Sequence, residues 1–433
     1  MESVSFISFL PLIMAVVLFF VKVPIGFALL AASMFYFGFL NTSMPVDLAL
    51  QNLITGLESF PMLSIPFFIM VGVVMNYAGI STRLMTFADL CVGHLPGSLG
   101  HVNVLLSTLM GGISGSSNAD CAMQCKILVP EMEKRGYRRE FSAAVTANSS
   151  LIPSIIPPGI VLIIYCMVAR VSIGKLFMAG YVPGAMLCIA MMIVVHMEAK
   201  KQGYGKSRET KASAKELLVG TKDAALALFM PLGLIMGLRF GLFTATEGGA
   251  ISVIYCFIVG MFVYKEIKVQ HILPILKETF YSTATVIFII IGANLFGYYL
   301  TYERIPNAMS TMILGLTSNK FLFLLGINIF LLICGMFIEA APIIIVLMPL
   351  LMEPLAAMNI DLIHFGIVMV LNLQLGGLTP PFGSMMFIAC SMLKIPMPKF
   401  VRASIPFYVA SLVVLMLITY IPEIVMFVPN LLM

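Results

Sequence analysis

The stretch Met110–Asp120, MGGISGSSNAD, crowds three glycines, three serines, an asparagine and an aspartate into an otherwise apolar segment. Glycine relaxes a helical backbone, and irregular backbone is tolerated at membrane depth only where it lines a cavity or packs within protein. A second interruption, CGMFIEAAP, follows at 334–342. The apolar segments that contain them, 103–129 and 321–352, are long for one span. We therefore predict that each segment is a re-entrant helical hairpin.

The composition around these stretches is that of a membrane protein. Of 433 residues, 60% are hydrophobic and 10% charged, and the mean hydropathy is +1.05. Soluble globular proteins carry roughly a quarter charged residues, and disordered chains are poor in hydrophobic residues, so both classes are excluded. The sequence predicts an all-α polytopic membrane protein that begins with an uncleaved span. Its apolar runs lie at 4–21, 24–40, 60–78, 103–129, 140–169, 173–197, 224–240, 246–264, 273–300, 321–352, 363–393 and 404–430.

One hydrophilic stretch, 198–223, divides the chain nearly in half and carries seven Lys or Arg. We predict that it is a cytoplasmic basic linker between a first membrane repeat, 1–197, and a second, 224–433. We place this linker in the cytoplasm and assume that the two hairpins do not cross the membrane. The order of the remaining spans then puts 19 of the 25 Lys and Arg residues in the cytoplasm and five outside. This bias agrees with the positive-inside rule. Lys126 lies within a hydrophobic segment.

The two halves resemble each other at a fixed offset of 224 residues. Seven identities occur over 111–159 without a gap, and five of them are Gly, Pro or Asn, which are uncommon in such apolar segments; the pairs are Gly111/Gly335, Pro130/Pro354, Phe141/Phe365, Asn148/Asn372, Leu151/Leu375, Pro157/Pro381 and Gly159/Gly383. The loop after the first hairpin has four basic residues and its counterpart has none. This difference predicts that the repeats have opposite orientations, as in many secondary transporters.

Each predicted hairpin is followed by a span that Pro and Gly interrupt, ANSSLIPSIIPPG at 147–159 and NLQLGGLTPPFG at 372–383. Unwinding a helix frees carbonyl oxygens for a small cation, and half-helix N-termini attract an anion. This combination is typical of cation-coupled anion uptake. The alternatives are helix packing for the serines at 114–117, interhelical hydrogen bonding for Asn148 and Asn372, and a structural kink for Pro157 and Pro381.

Charged residues within apolar segments also indicate function, because burying a charge in a membrane is costly. Asp120 and Glu339 lie in the hairpins, and we favour a functional role for both over a structural one. For Arg170, an interfacial anchor is the alternative to substrate binding. For Glu247, a structural cap or a bond between the repeats is the simpler interpretation.

Taken together, GGISGSSNAD, the IPPG break, VSIGKLFMAGYVPG at 171–184, ATEGGA and GLTPPFG resemble the large membrane subunit of TRAP (tripartite ATP-independent periplasmic) transporters over nearly the whole chain. The resemblance implies an elevator-type transporter with scaffold and transport domains in the bacterial inner membrane. It implies sodium-coupled symport of an organic acid, a carboxylate such as a sialic acid or a dicarboxylate, or a sulfonate. It also implies two partners, a small four-helix membrane subunit and a periplasmic substrate-binding protein. No cofactor is expected besides sodium as the coupling ion.

The resemblance also assigns site residues. One sodium site would lie between the first hairpin and the first break, and the other between the second hairpin and the second break; the candidate ligands are Ser114, Gly115, Ser150, Pro153, Ser154, Gly335, Glu339, Gly376, Thr379 and Pro380. The candidate substrate-binding residues are Ser116, Ser117, Asn118, Asp120, Asn148, Asn372 and Arg170. Many relatives have Asp at the position of Glu339, which puts a direct cation contact there in doubt.

Other functions are less compatible with the sequence. The chain has no HExxH, GxSxG or Walker A motif, so an intramembrane enzyme or an ATP-driven pump is disfavoured. A passive organic-anion channel, or a carrier that needs no binding protein, is the remaining alternative, because sequence alone does not show coupling.

Overall fold

The computed structural model describes residues 6–21, 23–41, 51, 53, 60–317 and 319–432, and this part of the chain is almost entirely helical. Lys22 and Glu58, which entered the orientation and repeat arguments, lie outside the described residues. The α-helices, in chain order, are α1 Leu10–Phe20, α2 Ile25–Phe35, α3 Ser64–Tyr77, α4 Ile80–Val92, α5 Ser98–Ser114, α6 Ser117–Lys134, α7 Arg139–Ser149, α8 Ile152–Ile155, α9 Ile160–Ala169, α10 Ile173–Ala179, α11 Tyr181–Gln202, α12 Ala214–Arg239, α13 Ala245–Ile258, α14 Val269–Tyr302, α15 Ile305–Leu316, α16 Lys320–Phe337, α17 Ala340–Ala357, α18 Leu362–Gly376, α19 Ser384–Leu393, α20 Met397–Tyr420 and α21 Pro422–Leu432.

Among the described residues, seven helical segments are long and apolar enough to cross a membrane alone. Two bent pairs bring the number to nine if each counts as one span: α3 with α4, bent by 72°, and α7–α8 with α9, bent by 42°. Large apolar side chains such as Phe229 and Phe280 remain 59% and 70% exposed on these helices, as lipid-facing residues are. The predicted polytopic all-α architecture is confirmed.

Both predicted hairpins are present. Helices α5 and α6 meet at Gly115 and Ser116, and α16 and α17 meet at Ile338 and Glu339. Gly115 has a left-handed backbone with φ of 56°, which glycine adopts without strain and which lets the chain reverse. The hairpins extend over 98–134 and 320–357, several residues beyond the predicted apolar cores, because polar helical turns continue at their bases.

The two interrupted spans are present as well. In the first, α7 and α8 are separated from α9 by the extended residues Ile156 to Gly159. In the second, α18 ends at Gly376 and α19 begins at Ser384. Each break contains a cis peptide between two prolines, Pro157–Pro158 and Pro380–Pro381.

Landmarks of backbone geometry recur in the two halves and extend the repeat beyond the sequence identities. The π-helical turns Tyr36–Leu40 and Val259–Val263 occupy corresponding places. Left-handed residues pair as Gly136 with Asn359, before the broken helix, and as Arg170 with Lys394, after it. The first pair is 223 residues apart and the second 224, so the second break contains one additional residue. The constant offset of 224 therefore applies only after the break.

The halves also exchange packing partners. Helix α6 of the first hairpin packs on α19 of the second half, and α17 of the second hairpin packs on α9 of the first half. A two-fold relation between the repeats produces such an exchange. Around this intertwined site group, α5–α11 and α16–α21, lies a peripheral group, α1–α4 and α12–α15, whose main contacts join α2 with α14 and α3 with α13.

The loop within the hydrophilic linker is shorter than the hydrophilic stretch 198–223, because helices extend into both of its ends. Helix α11 continues to Gln202 and ends at Gly203, whose φ is 72°. Helix α12 begins after Ser213, which forms a capping box with Glu216. The segment Gly203–Arg208, here called the strap, is held against the loop before α5: Gly97 N donates to Gly205 O at 3.0 Å, and Ser207 N donates to Gly93 O at 3.0 Å.

Candidate functional site

The tips of the two hairpins meet in the site group. Asn118, in the first turn of α6, donates from Nδ2 to Glu339 Oε1 at 3.3 Å. Ser384, the first residue of α19, donates from Oγ to Asn118 Oδ1 at 3.2 Å. Glu339 is the N-cap residue of α17, and Ser116 caps α6 by accepting from Ala119 N at 3.4 Å. A chain of polar side chains thus connects the N-termini of α6, α17 and α19.

The first hairpin is in backbone contact with the first break. Ile160 N, at the start of α9, donates to Gly115 O at 3.4 Å. A side-chain carbon placed on Gly115 would lie 2.0 Å from Pro158 O, and one on Gly111 would lie 3.2 Å from Pro153 Cα. Only glycine allows these backbones to approach so closely. The Pro158 carbonyl oxygen of the break therefore lies directly against the turn of the hairpin.

The second hairpin makes the corresponding contact. A side-chain carbon on Gly335 would lie 2.6 Å from Leu373 O, and one on Gly376 would lie 2.6 Å from Gly335 Cα. Phe382 N, in the break, donates to Met336 O at 3.1 Å. Thr379 turns back on the end of α18, with Oγ1 donating to Gly376 O at 2.9 Å. Pro380 follows it in the cis peptide with Pro381.

Both N-terminal and C-terminal ends of helices, which carry opposite partial charges, lie near these contacts. Helices α5, α7, α16 and α18 end near the breaks, and their last carbonyl groups, which have no partner within the helix, carry partial negative charge. Helices α6, α9, α17 and α19 begin there, and their first N–H groups, which also have no partner within the helix, carry partial positive charge. Carbonyl and hydroxyl oxygens are suitable ligands for a hard cation, and the N-termini suit an anion. The residues present therefore fit both a small cation and an organic anion.

Asp120 lies behind the tip and is almost completely buried, with 1% of its side chain exposed. Its Oδ2 accepts hydrogen bonds from Ser107 Oγ at 2.8 Å, Gln124 Nε2 at 2.8 Å and Ser150 Oγ at 2.9 Å. Its Oδ1 and the Oε1 of Gln124 are buried without a hydrogen-bond partner among the described residues. In this conformation Asp120 therefore organises side chains of three helices, and substrate contact would require another conformation.

The hydrogen bonds continue from Asp120 toward the base of the hairpin. Ser107 Oγ lies 3.0 Å from Ser149 Oγ, which donates to Asn103 Oδ1 at 2.9 Å. Asn103 Nδ2 in turn donates to Thr146 Oγ1 at 2.7 Å. All these side chains are fully buried. The network fixes α5, α6 and α7 relative to one another and so holds Ser150 at the start of the break.

Asn148 and Asn372, which the ungapped sequence comparison paired, are both buried but use different partners. Asn148 Nδ2 donates within its own helix to Ala144 O at 2.8 Å. Asn372 Nδ2 donates to the backbone O of Asn328 at 2.9 Å and to its Oδ1 at 2.6 Å, which ties α18 to α16. The Oδ1 atoms of both are buried without a partner among the described residues. Each half therefore keeps one amide oxygen available beside the break.

The remaining candidates in the first half lie close to the turn. Ser117 begins α6 and is 4% exposed, and its Oγ has no partner in the described part of the chain. Ser154 Oγ donates to Leu151 O at 2.7 Å within α8, where Pro153 also lies. Ser114 is the last residue of α5, and its side chain lies outside the described part of the structure.

Arg170 lies away from the tip, at the left-handed C-cap of α9. The ten residues of α9 place it about 15 Å from the tip. It lines a cavity of about 1250 Å³ between α9, α10 and α17 on one side and α12–α15 on the other, together with Glu353 and Asn294. The structure thus places this arginine at the border of the two helix groups.

Several residues of the site lie outside the sequence motifs: Asn103, Ser107, Gln124, Thr146, Asn328 and Ser384. A signal for part of this set was present. Asn103 and Ser107 are four residues apart, as are Asp120 and Gln124, and this spacing puts each pair on one face of a helix. Polar residues at helical spacing within apolar segments indicate buried partners.

Residues 12–424 match the family described as "Tripartite ATP-independent periplasmic transporter, DctM component". The chain belongs to this family. It is 36% identical over 414 residues to the sialic acid TRAP transporter large permease protein of Vibrio cholerae, and this alignment covers 96% of each chain. It is 35% identical over 373 residues to the C4-dicarboxylate large permease protein of Pseudomonas aeruginosa, with 86% of this chain and 87% of that protein covered.

A further relative is the isethionate TRAP transporter permease protein DctMQ of Oleidesulfovibrio alaskensis, 36% identical over 89% of this chain and 60% of that protein. Among solved structures, the YdaH transporter of Alcanivorax borkumensis is similar with a TM-score of 0.59 and 12% identity, covering 87% and 89% of the two chains. That similarity concerns the fold alone. The family membership identifies this TRAP large permease as a multi-pass membrane transporter subunit and not an enzyme.

Proposed function

We propose that this TRAP large permease is the membrane subunit through which a sodium gradient drives uptake of an organic acid. The observation that carries the proposal is the convergence of the hairpin tips, where Asn118 bridges Glu339 and Ser384 at the N-termini of three helices. Such N-termini stabilise negative charge. The relatives named for sialic acid, C4-dicarboxylates and isethionate all have an anionic substrate, which supports a carboxylate or sulfonate here.

The sodium ions are proposed to bind where each hairpin touches its break. In the first half the ligands would come from Ser114, Gly115, Ser150, Pro153 and Ser154, and in the second from Gly335, Glu339, Gly376, Thr379 and Pro380. The glycine-dependent backbone contacts at Gly115 and Gly335 support this assignment, because they bring carbonyl oxygens of two segments together. Asp120 supports the first site by holding Ser150. Sodium held there would favour the closed hairpin tips that the anion needs.

Substrate is proposed to contact Ser116, Ser117 and Asn118, with Asn148 and Asn372 facing the breaks. Arg170 lies too far along α9 to join them directly, and it would meet substrate only at the cavity between the helix groups. The division into a site group and a peripheral group supports an elevator mechanism, in which the site group moves as one body. The exchange of packing partners between the repeats would keep that body rigid.

The proposed assembly contains two partners. A small membrane subunit is suggested by the fused relative DctMQ, whose name combines the two components and of which this chain covers 60%. A periplasmic substrate-binding protein is suggested by the family description. The assembly would lie in a bacterial inner membrane with the strap and linker in the cytoplasm, where the basic loop at 134–139 also falls.

The test is uptake of labelled sialic acid, C4-dicarboxylates and isethionate into proteoliposomes that hold this chain with its small subunit. The binding protein is added outside, and a sodium gradient is imposed. Uptake that requires both sodium and the binding protein supports the proposal and identifies the substrate. Flux of the same size after potassium replaces sodium and the binding protein is omitted would indicate a channel or a carrier that works alone.

A further inference from the structure

A small cavity lies at the far end of the site group from the hairpin tips. It has a volume of about 330 Å³ between the C-terminal halves of α6 and α19. Helix α6 contributes Lys126, Val129, Pro130 and Glu133, whose spacing of three and four residues puts them on one helix face. Lys394, the left-handed C-cap residue of α19, closes the other side. Lys126 is nine residues, or about 14 Å, beyond Ser117 at the tip.

The charges around this cavity do not balance. Glu133 pairs with Arg139, which donates from a guanidinium nitrogen to Glu133 Oε2 at 2.9 Å. Lys126 and Lys394 both line the cavity, and neither forms an ion pair within the described ranges of the chain. Two unpaired ammonium groups at one cavity leave a local charge of about +2. An anion of matching charge or an anionic surface would stabilise them.

The cavity also has an apolar part of its lining, and apolar side chains next to it remain exposed. Val129 and Leu393 line it, and the neighbouring Ile127 and Met392 remain 48% and 44% exposed. A lysine within an apolar helix is tolerated when its stem runs along apolar surface and its ammonium reaches the headgroup region. Lys126 is two helical turns from the end of α6, a distance that its side chain and the helix tilt can bridge. The occupant therefore needs a charged head and an apolar tail.

The symmetry of the two repeats supplies an independent comparison. The counterpart of Lys394 is Arg170, and the counterparts of Lys126 at offsets of 223 and 224 are Pro349 and Leu350, which are uncharged. In that half the cavity carries Glu353 beside Arg170. The fold of the repeat therefore does not demand a lysine at position 126. Of these two corresponding places, only the α6–α19 cavity has two cationic side chains without an ion pair.

We infer that the α6–α19 cavity binds the phosphate headgroup of an anionic phospholipid, with Lys126 and Lys394 as the cationic contacts. Basic clefts between membrane helices near the cytoplasmic surface recognise such headgroups. Arg135 and Arg138, in the loop next to the cavity, add to the attraction for an anionic leaflet. A lipid held there would travel with the site group. The inference rests on membrane residence and not on the substrate or on sodium coupling.

The experiment is native mass spectrometry of the full chain titrated with phosphatidylglycerol or phosphatidylcholine. The Lys126→Gln/Lys394→Gln double variant should bind phosphatidylglycerol roughly thirtyfold more weakly than the unmodified chain, because each of the two lysines near the phosphate contributes about 1 kcal/mol. The matched control is Lys134→Gln/Lys399→Gln, which removes the same charge from residues paired with Glu131 and Glu140 at 3.8 Å. The control should bind as the unmodified chain does.

A second readout does not depend on removing the lysines. The chain contains no tryptophan, so Met392→Trp places a single fluorophore at the rim of the cavity. Brominated phosphatidylglycerol should quench it more strongly than brominated phosphatidylcholine at the same fraction in vesicles. Stronger binding of cardiolipin, with its two phosphates, would also agree with two lysines. Equal quenching by both lipids, or equal affinity of the two double variants, would overturn the inference. All these outcomes are measured without transport, so failure of the proposed uptake leaves them interpretable.

Discussion

Asn118 and Glu339, 221 residues apart in the chain, are joined by a hydrogen bond of 3.3 Å between the tips of the two hairpins. Each residue belongs to a different repeat, so neither hairpin can close the site without the other. The same amide accepts from Ser384 at the start of α19. The Asn118 side chain therefore connects the first hairpin to both the second hairpin and the second broken helix.

Replacing Asn118 with alanine should weaken substrate binding. The change removes hydrogen bonds to Glu339 and Ser384, and one of these involves a carboxylate, so a loss of about 1.5 kcal/mol is expected, which corresponds to roughly tenfold. The measurement is the KM of sodium-driven uptake in proteoliposomes. Thr86→Ala, an exposed residue of α4 that bonds only its own helix, serves as the control. An unchanged KM in Asn118→Ala would remove the bridge from the substrate site.

Replacing Thr379 with valine should raise the sodium concentration needed for half-maximal uptake, roughly tenfold, because the second proposed site loses a hydroxyl ligand that now lies 2.9 Å from Gly376 O. Thr379→Ser keeps the hydroxyl and should restore sodium dependence. Sodium titration of uptake at fixed substrate is the measurement.

The control for that titration is Ser142→Ala in α7, whose hydroxyl donates to Arg138 O at 3.2 Å at the far end of the helix. It should titrate like the unmodified protein. If Thr379→Val and Ser142→Ala had the same sodium dependence, Thr379 would not be a ligand.

Replacing Asp120 with alanine should destabilise the folded protein. Three buried hydrogen bonds, from Ser107, Gln124 and Ser150, would be lost. Each donor keeps a second acceptor, so the expected loss is that of the hydrogen bonds themselves, about 0.5–1.5 kcal/mol each. Asp120→Asn keeps an oxygen acceptor in the same place and should lose less. The Tm of the purified protein in detergent measures both. Equal Tm values for Asp120→Ala and the unmodified chain would mean that the second acceptors of these donors are sufficient and that Asp120 does not hold the hairpin.

The hairpins and breaks were predictable because Gly, Ser, Asn and Pro are rare in lipid-facing helices. Met110–Asp120 and 372–383 therefore stood out, and their roles in the fold are confirmed. Helix α4 was not predicted, because its segment Ile80–Val92 is only moderately apolar and amphipathic. Its buried residues Ile80, Leu84 and Ala88 pack at helical spacing against neighbours that no local pattern specifies.

Tertiary contacts in the site were harder to predict than its motifs. The role of Asp120 depends on Ser107 and Ser150, which are 13 and 30 residues away and approach it only after the hairpin folds onto the broken helix. Ser384 gave no signal, because a serine at the start of a helix is usually a cap. The offset between corresponding residues of the two repeats also changes from 223 to 224 across the break. A sequence comparison without gaps cannot detect such a change.

The strap gives the last prediction. Tyr204 is 8% exposed, its ring stacks on Tyr137 at 4.3 Å between centroids, and its OH accepts from Arg138 N at 3.2 Å. Burial raises the pKa of the Tyr137 phenol, so the Tyr137 side chain stays neutral at physiological pH. The Phe141 ring centroid lies 5.1 Å from that of Tyr204 and 6.3 Å from that of Tyr137, so the three rings contact one another. The aromatic cluster therefore attaches the linker to the site group and leaves 209–213 as the free connection to α12.

Tyr204→Ala should release the strap, because truncating a buried aromatic residue costs about 3–5 kcal/mol. Tyr204→Phe keeps the stack and loses one hydrogen bond, so it should stay closed. Limited trypsin digestion at Lys206, Arg208 and Lys211 measures the open population, since cleavage follows local opening when opening is fast. We expect cleavage more than tenfold faster in Tyr204→Ala than in Tyr204→Phe. Equal cleavage rates in the two variants would contradict this prediction. They would show that the backbone hydrogen bonds between the strap and residues Gly93 and Gly97 hold the strap in place without the Tyr204 ring.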